Sequence, residues 1–146
     1  MSVDLKDGDA NRNREITEGF GLILRSNFDK HNLLPGAVPL LAGALFGNHV
    51  LGKARLTALL QKIAERESMT TEAVTVEWFS RYVQQMMYPV LHCYFAHGVV
   101  FEPHLQNVVI GLVADWPAQV FLRDFEGVKL VSEHWAADAL SGVSQR

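Results

Sequence analysis

Cysteine is nearly missing from this chain: Cys93 is the only one in 146 residues. A single thiol excludes a disulfide framework, a cysteine-built zinc site and an iron–sulfur centre held by the chain alone. Excess positive charge is missing too. Thirteen Lys+Arg stand against sixteen Asp+Glu, for a net charge of -3, and no basic stripe forms. A nucleic-acid partner is therefore not expected, since binding a phosphate backbone needs clustered cations. No apolar run approaches the roughly 18 residues that suggest a membrane span. Residues 1–13 lack the apolar stretch of a secretory signal, so a cytoplasmic location is expected. No repeat, low-complexity tract or interdomain linker is visible. What remains is 49% apolar and 20% charged residues, enough to build one packed domain of ordinary size.

Residues 1–14 (MSVDLKDGDANRNR) read as a flexible lead-in to a region covering 15–146. Residues 20–25 form a short apolar run that reads as a strand, and Pro35-Gly36 signals a turn. The small apolar residues 37–46 predict a buried helix, with Pro39 in its first turn. A second helix is expected over about 52–66, with Leu56, Leu59, Leu60 and Ile63 on one face. Thr70-Thr71-Glu72 supplies capping chemistry ahead of the most regular segment. There Trp78/Phe79, Tyr82/Val83, Met86/Met87, Val90/Leu91 and Tyr94/Phe95 recur every four residues, predicting one long buried or half-buried helix. Pro89 should kink it and Gly98 should cap it. Strands are then expected at 99–101, 108–113, 119–122 and 128–131, with a turn at 114–117. The fold class is α+β: helices including one long kinked helix, then a small antiparallel sheet.

Two polar clusters interrupt these strands, Glu102-Pro103-His104-Leu105-Gln106-Asn107 and Arg123-Asp124-Phe125-Glu126-Gly127. A hairpin between them returns the chain to its starting end, so both clusters should meet there. Oxygen donors from Glu102, Gln106, Asn107 and Asp124 would then converge, a hard donor set suited to Mg²⁺ and its phosphate ligands. His104 and Arg123 add donors for phosphate or developing negative charge. Residue chemistry alone leaves a second reading open, a loop whose polar side chains cap neighbouring backbone. The remaining histidines carry no site. His92 and His97 read as packed or capping residues, and His31, His49 and His134 stand alone. Cys93 reads as an inert buried thiol and Asp115 as a turn residue.

The rhythm of His97-Gly98, Asn107 and Asp124-Phe125-Glu126-Gly127 is similar in layout to the metal and nucleotide corner of kinase-like phosphotransferases. Val99 stands where their catalytic aspartate would be, and no Gly-rich loop with its lysine is present. The layout favours ATP plus metal over any particular reaction.

A closer resemblance rests on the 98–107 segment Gly98-Val99-Val100-Phe101-Glu102-Pro103-His104-Leu105-Gln106-Asn107 and on Phe121-Leu122-Arg123-Asp124-Phe125-Glu126-Gly127. Together these look like the G-[IV]-x-[FL]-E-x-H-x-Q-N and R-D-F-x-G motifs of the IucA/IucC siderophore synthetases, which are independent of nonribosomal peptide synthesis. Residues 18–25 and the small-residue stretch ending Ala44-Leu45-Phe46 also fit that family's C-terminal half. Pro103, where alanine is usual, stiffens the loop and removes no ligand. The resemblance implies an ATP- and Mg²⁺-dependent ligase that adenylates a carboxylic acid such as citrate and joins it to an amine or hydroxylamine. By position it implies Glu102, Gln106, Asn107 and Asp124 on the metal, and His104, Gln106, Asn107 and Arg123 on the ATP side. His104 is the candidate catalytic group, stabilising charge during adenylation.

Nothing in the chain matches the ATP and substrate motifs of that family's N-terminal half. The resemblance thus implies part of a synthetase, a truncated or split form working as a homodimer or beside a complementing half. A non-catalytic binding or regulatory module and a kinase-like phosphotransferase fragment are the alternatives. A ferric-siderophore reductase of related sequence should carry a C-terminal cysteine cluster, which Cys93 alone does not supply.

Overall fold

The computed structural model describes residues 11, 14, 28, 31–47, 52, 54–123, 125 and 127–136. Most of the expected lead-in, the strand expected at 20–25 and the candidate ligand Asp124 lie outside the described residues. The class is α+β, as the sequence suggests. In chain order come β1 (Ala37–Leu41), α1 (Ala42–Phe46), α2 (Arg55–Glu67), α3 (Thr71–His97), β2 (Val99–Val100), β3 (Val108–Val113), β4 (Trp116–Leu122), β5 (Lys129–Leu130) and a 3₁₀ turn, Ser132–His134.

The strands form two antiparallel sheets rather than one: β1-β3-β4, and a ribbon of β2 with β5. The helix expected over 37–46 is the clearest correction, because its first half is β1 and only its second half is helical. Ten small apolar residues carry no decisive period. The choice is made by β3, which pairs with β1 from Ala37↔Val113 to Leu41↔Val109. As β1 is an edge strand, the missing N–H of Pro39 is tolerated there. The hairpin also differs in detail, since β4 begins at Trp116 and not at Gln119. Ala114 (φ 47°) and Asp115 (φ 69°) both adopt left-handed backbone, and Val113 faces Trp116 across them. Two residues with positive φ match the twist of the flanking strands, so the turn needs no more. Pro117 is accommodated beside the register shift at Gly111/Leu112.

Thr70 caps α3, its hydroxyl accepting from the Ala73 N–H at 3.2 Å. The helix continues unbroken through Pro89 and ends at Gly98, which takes φ 61° and donates to the carbonyls of Cys93 and Tyr94. Only the N-terminal half of its apolar stripe is core. Val74, Trp78 and Tyr82 pack with Leu60 and Ile63 of α2, Leu45 of α1, and Val108, Ile110 and Leu112 of β3. Farther along, Val83, Met87, Leu91 and Tyr94 face outward, and Tyr88 and Phe95 are 75% and 70% exposed. The stripe from Trp78 to Phe95 therefore outruns the small sheet available to cover it.

The hairpin tip is fastened to the helices by charge. Asp115 pairs with Arg66 at 2.7 Å and Lys62 at 3.0 Å, and Arg66 also donates to the Ala114 carbonyl at 2.7 Å. Next to it, the Trp116 indole donates to Glu67 at 2.8 Å, and Arg81 lies 4.3 Å from the Trp116 ring centroid. Partial burial acts to raise the Asp115 carboxyl, yet hydrogen bonds from Lys62 and Arg66 outweigh it and hold the group below the usual carboxylate range. The folded value thus lies below the unfolded one. This contribution to stability is present above about pH 4 and is lost as pH falls through the lowered value. Thermal melts between pH 7 and pH 2 should show a smaller acid-induced loss for Asp115→Asn than for the parent. Parallel curves would contradict the assignment.

Candidate functional site

The two polar clusters meet at one end of the β3–β4 hairpin. Asn107, immediately before β3, accepts the Arg123 N–H on its carbonyl at 2.9 Å, just past the end of β4. This bond closes the hairpin mouth and sets the clusters side by side. Within the first cluster the backbone folds tightly, with His104 N–H on the Glu102 carbonyl at 2.9 Å and Asn107 N–H on the His104 carbonyl at 2.8 Å. The Asn107 amide nitrogen lies 2.9 Å from His104 Nε2. With the amide donating, the ring is the Nδ1–H tautomer. The loop is anchored from below by Gly43 N–H on the Leu105 carbonyl at 2.9 Å.

Glu102 reaches across to the second cluster. Its carboxylate packs on Gly127, where a Cβ would sit only 2.9 Å from Oε2. Its Oε1 accepts from Lys129 Nζ at 3.1 Å. Phe101 and Phe125 meet with tilted rings whose centroids lie 5.9 Å apart. Arg123 contributes a half-buried side chain whose Nε is buried and, among the described residues, has no hydrogen-bond partner. A buried donor left unsatisfied costs about 1–3 kcal/mol, so an acceptor from outside these residues is favoured there.

Of the candidate residues, Glu102, His104, Asn107 and Arg123 are thus brought together by backbone and side-chain bonds. Gln106 lies exposed in the same turn. Among the described residues no three His, Cys, Asp or Glu side chains gather as a metal cluster, and Asp124 is not one of those residues. Lys129 was missed by the sequence reading. Its signal was a lysine two positions beyond Gly127 in a strand set against β2, readable only once the register Val100↔Lys129 is known.

Comparison with known proteins shows what the chain is similar to. A family model described as "Ferric iron reductase FhuF-like transporter" matches residues 76–146. The chain is 29% identical over 132 residues to spermidine-citrate ligase of Bacillus anthracis, covering 88% of this chain and 21% of that protein. It is 31% identical over 111 residues to the rhizobactin siderophore biosynthesis protein RhbF of Rhizobium meliloti, covering 76% and 17%. Among solved structures, ATP-bound aerobactin synthetase IucA of Klebsiella pneumoniae aligns with TM-score 0.60 at 22% identity, over 63% of this chain and 17% of that one.

The shared fold is therefore that of the siderophore synthetases. The chain matches the IucA/IucC family over part of its length, spanning between 9% and 21% of the curated relatives it matches. The one thiol in this sequence, Cys93, is half-buried on α3 and forms no disulfide. Among the described residues no helix is long and apolar enough to cross a membrane.

Proposed function

We propose that this chain supplies the Mg²⁺ and ATP-phosphate corner of a cytoplasmic ATP-dependent carboxylate–amine ligase in siderophore biosynthesis. One observation carries the reading: the Asn107–Arg123 bond joins both polar clusters at one end of the hairpin, with the Glu102 carboxylate reaching the glycine of the second. The donor chemistry fits the group. Glu102 offers a half-exposed carboxylate, Gly127 leaves the close space a side chain would fill, and Arg123 holds a buried donor with no partner among the described residues.

In this reading Glu102, Gln106, Asn107 and Asp124 hold Mg²⁺, which when bound neutralises phosphate charge. His104, Gln106, Asn107 and Arg123 face the nucleotide. A carboxylate of a citrate-like acid attacks the α-phosphorus, pyrophosphate leaves, and an acyl-adenylate forms. An amine or hydroxylamine then attacks the acyl carbon, AMP leaves, and the amide remains. His104 donates to the phosphoryl oxygens as negative charge develops on them. Asn107 orients that ring and Arg123 braces the loop. The rest of a synthetase fold is the occupant assigned to the exposed outer face of α3, because about four-fifths of each matched relative's length lies outside the part that aligns with this chain.

Calorimetric titration tests the site. The chain should bind Mg·ATP, and Asn107→Ala should weaken binding about tenfold through loss of one ligand and one ring contact. Equal affinity in the two proteins, or no binding by the parent, would overturn the reading. Pyrophosphate exchange with citrate should require a complementing N-terminal half. Robust exchange by the chain alone would remove the claim that another part is needed.

A further inference from the structure

We infer that Lys129 couples cation loading to phosphate loading at this site by competing for Glu102. The inference rests on the proposed function and adds a residue and a linkage to it. Two observations place Lys129 there. The β2–β5 register sets Lys129 opposite Val100, two residues before Glu102. The ammonium then lies 3.1 Å from Glu102 Oε1, while Gly127 lies under the other carboxylate oxygen.

The pair is accessible, with the lysine side chain 73% and the glutamate 50% exposed. An exposed ion pair of this kind is weak and easily exchanged. A hard divalent cation prefers the same carboxylate oxygens. Once it binds, Lys129 loses its partner and faces a second positive charge. The compact ammonium, carried on the same ribbon, then favours an anionic acceptor such as a phosphate oxygen. Without nucleotide, Lys129 opposes the cation. With nucleotide, the phosphates take up its charge and the opposition ends. Linkage makes the effect reciprocal, so each ligand tightens the other by the same factor.

The test separates metal from nucleotide. Mn²⁺ alone, followed by electron paramagnetic resonance, and ATP alone in EDTA, followed by calorimetry, are titrated into the parent chain and into Lys129→Gln. Circular dichroism checks that both are equally folded. The variant should bind Mn²⁺ about threefold to fivefold tighter and ATP more weakly by a similar factor, given the modest strength of an exposed pair. Lys129→Arg should keep ATP affinity near that of the parent. A purely structural role would move both affinities in one direction. If the parent binds both ligands and Lys129→Gln shifts both alike or neither, the inference fails and the proposed function stands. If the parent binds neither ligand, the proposed function fails and takes the inference with it.

Discussion

Replacing Trp78 with alanine should destabilise the fold by about 3–5 kcal/mol, the range for deleting a large buried aromatic. Trp78 is fully buried at the junction of α3, α2 and the three-stranded sheet. Its ring stacks on Tyr82 with centroids 5.8 Å apart and meets Phe46 and Phe79 edge-on at 6.0 and 5.5 Å. Its indole N–H donates to the Asp115 carbonyl at 3.1 Å, tying the helix to the hairpin tip. Alanine would therefore leave a cavity and an unpaired carbonyl together. Trp78→Phe separates the two effects: it keeps most of the ring volume, loses the N–H, and should cost about 1–2 kcal/mol. Urea unfolding measures both variants. A typical domain has about 5–15 kcal/mol in all, so the alanine variant should lose a large share of its stability and unfold at a clearly lower urea concentration. If Trp78→Ala cost under 1 kcal/mol, Trp78 would not be the keystone of this core.

Much of that core was legible before any coordinates. The apolar pairs in α3, the Thr70 cap and the Gly98 stop are local signals. So is the hairpin, whose strands are dense in β-branched residues. What escaped was non-local. Residues 37–41 became a strand because β3 lies beside them, and nothing within ten small apolar residues states that. Asp115 read as a plain turn residue, yet it anchors two cations from α2, some fifty positions earlier in the chain.

The candidate site divides in the same way. Glu102, His104, Asn107 and Arg123 stand in two short motifs, and the hairpin logic foresaw that those motifs meet, as the Asn107–Arg123 bond shows. Lys129 was not found, because its relation to Glu102 depends on strand register. The same limit applied to His134. It stood alone in the sequence, yet its side chain is what a Cβ at Gly98 would strike.

Gly98→Ala is the second large effect, expected to cost about 2–4 kcal/mol. Left-handed backbone at φ 61° penalises alanine by about 1–2 kcal/mol. The remainder is steric. A Cβ there would lie 2.6 Å from His134 Cβ and 2.7 Å from Cγ, at the root of the side chain, where no rotamer change helps. Relief requires the Ser132–His134 turn to move, which strains the bond from Val131 N–H to the Gly98 carbonyl at 2.7 Å. Because that bond continues the β2–β5 ribbon, β5 should shift with it, drawing Lys129 and Gly127 away from Glu102. The variant should therefore lose stability and nucleotide affinity together. Combining it with His134→Gly removes the collision and leaves only the backbone penalty. The double variant should recover about 1–2 kcal/mol relative to the sum of the single changes, the scale expected for residues in contact. Strict additivity would show that the two residues do not meet, and the ribbon would then owe its placement to something other than this contact.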